Sequence, residues 1–119
     1  MHLAKAELGR YGEDLAAAHL EATGCRILAR NWRCRLGEID LVALEGECLV
    51  VCEVKTRQTV TAGSPLEAVT ALKAGRLRRL AGAWLSTQSR FYPEVRIDVV
   101  GIVRPAAGPA RLVHLKAVA

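Results

Sequence analysis

"GEIDLVALEGECLVVCEVKTR", residues 37–57, is two apolar runs separated by a short polar turn, with Asp40, Glu53 and Lys55 set inside them. A strand buried on both faces normally reads as near-continuous Val, Ile and Leu, and an uncompensated charge within it costs on the order of several kcal/mol or changes its protonation. Something must therefore hold the three charges together. Residues two apart on a strand project from the same face, so Glu53 and Lys55 point together while Val54 points to the other side. The tight "EGE" turn makes the two runs an antiparallel hairpin, and that brings Asp40 within cross-strand reach of Glu53 at a register the sequence leaves open.

Working outward, "AKAELGRYGEDLAAAHLEAT" (4–23) carries Leu8, Tyr11, Leu15 and Ala18 at helical spacing, with Gly24 placed as a stop. Gly9 and Gly12 are poor helix formers, so both suggest a close approach of the helix backbone to a neighbouring element. "CRILARNWR" reads as the strand before the hairpin. After it, Pro65 opens a helix through Ser86, with Ser64 as N-cap and Leu66, Val69, Leu77, Leu80 and Trp84 along one face. "VRIDVVGIV" and "RLVHLKAV" are two further strands, separated by "RPAAGPA". A long crossover helix links parallel strands, so the expected architecture is α/β: a mixed five-stranded sheet flanked by helices, formed by residues 1–119 as a single domain.

The chain has 119 residues, 51% of them hydrophobic, enough for one real core. No apolar run approaches membrane-spanning length and the N-terminus lacks the layout of a secretion signal, so a cytoplasmic protein without a membrane partner is expected. Cys25, Cys34, Cys48 and Cys52 form no C-x-x-C pair, and free, mostly buried thiols are expected. His2, His19 and His114 have no ligand spacing. The net charge of +5 and a pI near 9.4 favour a polyanionic partner, and their distribution sharpens this. Arg26, Arg30, Arg33 and Arg35 lie in an interval without acids between Glu21 and Glu38. Aromatics are only 4% of the chain, too few for a base-stacking platform, so duplex or branched DNA held by its backbone is the natural substrate.

Two nearby carboxylates repel unless a divalent cation accepts both, and Mg2+ (or Mn2+) takes hard oxygen ligands, commonly one or two carboxylates with water and phosphate. Asp40 and Glu53 would hold the ion, and Lys55 would orient or deprotonate a nucleophile or stabilise the transition state: the parts of a metal-dependent phosphodiesterase. The bland alternative for Glu53 and Lys55 is an exposed ion pair worth at most about 1 kcal/mol, against which Leu49, Val50 and Val51 indicate a central strand. Lys73, four residues after Val69 and four before Leu77, reaches either toward this patch or out to water. Arg57 and Gln58 follow the strand where a phosphate could lie, or simply face solvent. Asp98, beside Arg96 in "RID", reads as a structural ion pair.

"GEID" followed by "EVKTR", after a helix carrying "GE", resembles the PD-(D/E)xK nuclease superfamily, specifically its YraN-like branch, which is similar to archaeal Holliday junction resolvases. The likeness extends over nearly the whole chain through "GRYGEDLA", "RNWR", "GSPLEAV" with Lys73, and "RIDVV". It implies a restriction-endonuclease-like three-layer fold and a DNA endonuclease. Asp40 and Glu53 would be metal ligands together with the Val54 carbonyl, Lys55 the catalytic lysine and Glu13 a helix-borne carboxylate joining them. Arg33, Arg35, Arg57 and Lys73 would contact DNA. Ile39 stands where the superfamily's proline would precede Asp40. The alternative function is a non-catalytic module that binds nucleic acid or a protein partner on a nuclease scaffold. The resemblance also implies a homodimer, with Trp84, Leu85, Phe91 and Tyr92 as candidate contacts unless they cap the core of a monomer.

Overall fold

The computed structural model describes residues 4–58 and 71–118. Its elements are α1 (Lys5–Ala22), β1 (Arg26–Cys34), β2 (Gly37–Glu45), β3 (Cys48–Arg57), α2 (Ala71–Leu85), β4 (Glu94–Val103) and β5 (Arg111–Leu115). The expected start of the second helix, with Ser64, Pro65, Leu66 and Val69, lies outside the described residues. The strands form one sheet in the order β1-β2-β3-β4-β5. β3 and β4 pair in parallel, as a crossover containing α2 requires, and every other neighbour is antiparallel.

The alternation in β3 builds two cores. Leu49 and Val51 join Leu77, Leu80, Ala81 and Trp84 of α2 on one face, whereas Val50 and Cys52 join Ala16, Ala17 and Leu20 of α1 on the other. The result is helix, sheet, helix: a mixed α/β sheet in the three-layer arrangement of the restriction-endonuclease-like fold. Each fully buried Leu or Val contributes about 1.5–3 kcal/mol of apolar burial, and β2 and β3 supply most such residues because both their faces are covered.

Gly12 and Gly9 differ. A Cβ on Gly12 would lie 1.7 Å from Thr56 Oγ1 and 2.7 Å from Thr56 Cβ, so only glycine lets α1 meet β3 there. Among the described residues no atom lies within 4 Å of such a Cβ on Gly9, so none of them makes the close approach expected at that position. α1 ends where Gly24 takes φ of 100°, and Cys25 N–H closes back on the Leu20 carbonyl at 2.9 Å.

Trp84 and Tyr92, expected as dimer contacts, are core residues of the α2 face, 4% and 9% exposed, and their rings pack 5.8 Å apart. Leu85 is partly buried against the same cluster. Of these four, only Phe91 is presented to solvent, at 81%. All four cysteines are free, with Cys25 and Cys52 buried. Among the described residues no helix is long and apolar enough to cross a membrane.

Candidate active site

The hairpin loop is two residues long, because Glu45 pairs with Cys48 and Gly46 takes the left-handed φ of 61° that such a loop needs at its first position. The register then runs through Leu44↔Leu49 to Leu41↔Cys52. One step further places Asp40 opposite Glu53. The regular ladder stops there, and Asp40 Oδ2 instead accepts the Val54 backbone N–H at 2.8 Å.

Burial raises the Asp40 carboxyl to about 6; the Val54 N–H opposes that rise, while Glu53, Glu13 and Glu38 add to it. Burial likewise pushes Lys55 below the ordinary lysine range, helped by the adjoining Lys73 and opposed by Glu53 and Asp40. Glu53 is itself largely buried. Its Oε2 lies 3.1 Å from Lys73 Nζ, a charge contact without the alignment of a hydrogen bond, so among the described residues this buried oxygen receives no directed donor. The reach of Lys73 toward the patch, rather than out to water, is thereby decided.

Glu13 approaches from α1. Its Oε1 accepts from Asn31 Nδ2 at 2.7 Å and from Arg30 Nη2 at 3.3 Å, and Arg30 also bonds Asp14. Asn31 has φ of 52° in the middle of β1, where the register sets it opposite Asp40, between Arg30↔Leu41 and Trp32↔Ile39. Asparagine tolerates that conformation better than most residues. Sequence reasoning did not single out Arg30 and Asn31 as site residues; the available signal was an Asn within a strand, a residue type that strands disfavour.

An open cleft of about 710 Å³ gathers Glu13, Arg33, Asp40, Val54 and Lys55, together with Lys5, Arg10, Arg30, Asn31 and Thr56. Glu53 and Lys73 pair beside this group rather than in the cleft wall. Arg33 is exposed and 3.5 Å from Glu38. Arg35 and Arg57 are exposed and do not line the cleft.

Among the described residues no three His, Cys, Asp or Glu side chains converge tightly enough to hold an ion by themselves. The donor chemistry nevertheless fits Mg2+ or Mn2+. Asp40 and Glu53 offer hard oxygens on adjacent strands, one carboxylate is destabilised by burial and the other has a buried oxygen without a directed donor. A site of two carboxylates and the Val54 carbonyl, completed by water and phosphate, is of the kind magnesium uses.

The three-layer sheet, with two carboxylates and a lysine at the junction of its central strands, defines a restriction-endonuclease-like α/β protein. A family model described as uncharacterised protein family UPF0102 matches residues 12–102. A UPF0102 protein of Kineococcus radiotolerans is 53% identical over 116 residues, covering 97% of this chain and 95% of that one. A UPF0102 protein of Beutenbergia cavernae is 54% identical over 115 residues, covering 97% and 98%. The chain belongs to the UPF0102 family, the YraN-like branch to which its motifs point.

Proposed function

We propose that the protein is a metal-dependent DNA endonuclease acting on duplex or branched DNA. The observation that carries this reading is that Asp40 and Glu53 lie on adjacent strands just past the Leu41↔Cys52 pair, Asp40 accepting the Val54 N–H, with Asp40 and Lys55 lining an open cleft. When bound, Mg2+ or Mn2+ would supply an activated water and neutralise charge developing on the phosphodiester. Asp40, Glu53 and the Val54 carbonyl would hold it. Lys55, partly buried and pushed toward its neutral form, is suited to orient or deprotonate the attacking water. Glu13, held by Asn31 and Arg30, would keep a third carboxylate beside the first two. Arg33, Arg10 and Lys5 border the cleft with positive charge for the flanking phosphates, contacts that position DNA without reading its sequence.

The test is cleavage of linear, flapped and four-way-junction DNA with Mg2+ and with Mn2+. Wild type should cut at least one of these, and Glu53→Ala should lower the rate by a factor on the order of 10³ or more, the scale of losing a principal electrostatic group. Equal rates for the two proteins would overturn the assignment. The neutralisation of Glu53 by Lys73 favours a second reading, a DNA-binding module without turnover; it predicts salt-sensitive binding of the same DNA panel and no cleavage with either metal.

A further inference from the structure

Lys73 stands on the wrong face of its helix for a surface lysine. Leu77, Leu80 and Trp84 of α2 are 2%, 1% and 4% exposed, and Lys73, four residues before Leu77, continues their stripe at the spacing of core residues. A cation there has lost much of its water and requires a counter-charge. It finds one in Glu53, with side-chain exposures of 18% for the lysine and 14% for the glutamate.

The Glu53 oxygen approached by Lys73 Nζ is buried and, among the described residues, receives no directed hydrogen bond. An ammonium at 3.1 Å and a divalent ion compete for that carboxylate, because their charges repel. Lys55 adds a second ammonium next to Lys73. Both lysines thus lie against the carboxylates that a divalent ion would need.

We propose that Lys73 is the resident counter-cation of Glu53, occupying in the metal-free protein the place of a divalent ion and giving it up when the ion binds. The inference rests on the reading of Asp40 and Glu53 as metal ligands and adds a control on that site. Metal binding then costs the displacement of Lys73, and α2, which carries it, becomes the element through which occupancy is felt. A displaced ammonium beside the cleft has an obvious next partner in a phosphate oxygen of the substrate, so metal and DNA would bind cooperatively.

The experiment uses the whole chain and Mn2+ as the probe, followed by calorimetry and by thermal unfolding. Lys73→Met keeps the stem and removes the charge. It should unfold at lower temperature than wild type without metal, because it strands Glu53, and adding Glu53→Gln should restore most of the loss. It should also bind Mn2+ about tenfold more tightly, since the ammonium paired with Glu53 is gone while Lys55 is common to both proteins, and Mn2+ should stabilise it more than it stabilises wild type. Should Lys73→Met fail to fold, Lys73→Gln carries the same expectations. Mn2+ binding by wild type with unchanged affinity in the variant overturns the proposal and leaves the proposed function standing. Binding by the variant alone supports the proposal outright. Binding by neither protein removes both. Loss of stability that Glu53→Gln does not restore also overturns the pairing.

Discussion

Asp40 shows at a single residue what the site costs the fold. Its ionised form is disfavoured by burial and by three neighbouring carboxylates, with one backbone N–H in its favour. The native carboxyl, raised to about 6, therefore binds its proton more tightly than the unfolded chain, where an aspartate titrates near about 3.9. Where the native state holds the extra proton, stability falls as pH rises, so the penalty appears between about pH 4 and pH 6 and is complete at neutrality. Asp40→Asn keeps an oxygen to accept from Val54 and never ionises. It should stabilise the metal-free protein by about 1–3 kcal/mol at pH 7, several degrees in Tm, and by almost nothing at pH 3.5. Thermal unfolding across that pH range checks it; a constant difference, or a loss of stability at pH 7, would contradict the burial argument. Asn31 is a second such residue, held at a positive φ in mid-strand with its amide on Glu13.

At the scale of elements, the site depends on how closely α1 lies on β3. Gly12 makes that approach, and its neighbour in the helix, Glu13, is thereby brought to the cleft that Lys55 and Thr56 line from the strand. Gly12→Ala would drive a methyl into Thr56, including its Cβ, which cannot move without moving β3. The expected cost is about 1–3 kcal/mol, the range for overpacking a filled position, set against the modest gain in helix propensity from losing a glycine. Chemical denaturation measures this. Gly12→Ala with Thr56→Ser should recover part of the loss, because the second change removes one of the crowded methyls. Gly9→Ala is the control: with none of the described residues within 4 Å it should cost nothing and can add stability.

The whole molecule is tied together at Asp98, fully buried in β4. Arg96 forks onto both its oxygens at 2.9 and 3.0 Å, His114 of β5 reaches Oδ2 at 2.7 Å, and the Ala117 N–H reaches Oδ1 at 3.1 Å. Arg96 also bonds Glu45 at the end of β2, and His114 meets His19 of α1 at 3.1 Å. One carboxylate thus links β4, β5, the hairpin and α1. Burial alone would raise the Asp98 carboxyl, but these donors outweigh it and hold the group below its usual value. Its contribution is present above the unfolded value near about 4 and is lost as pH falls through the lower native one. Asp98→Ala should cost about 3–5 kcal/mol at pH 7, the scale of breaking a buried ion pair, and the deficit should shrink at strongly acidic pH. A neutral effect at pH 7 would show that the network is not what joins these strands.

Periodicity alone was enough for the layers: the alternation in β3, the stripe of α2 and the tight turn in "EGE" are local patterns, each needing only backbone geometry to be read. Local geometry also put Asp40 within cross-strand reach of Glu53, while the register between them stayed open until the structure showed Glu45 paired with Cys48. Arg96 beside Asp98 was legible as an ion pair, being two apart on one strand. What local pattern could not carry was any contact between residues distant in the chain. That Gly12 is filled by Thr56 while none of the described residues crowds Gly9, that Trp84 and Tyr92 close a core, that Asn31 turns onto Glu13, and that Lys73 takes the Glu53 oxygen all depend on how helices settle on the sheet. Such packing is decided by the summed burial of both faces together, and no single segment of the sequence encodes it.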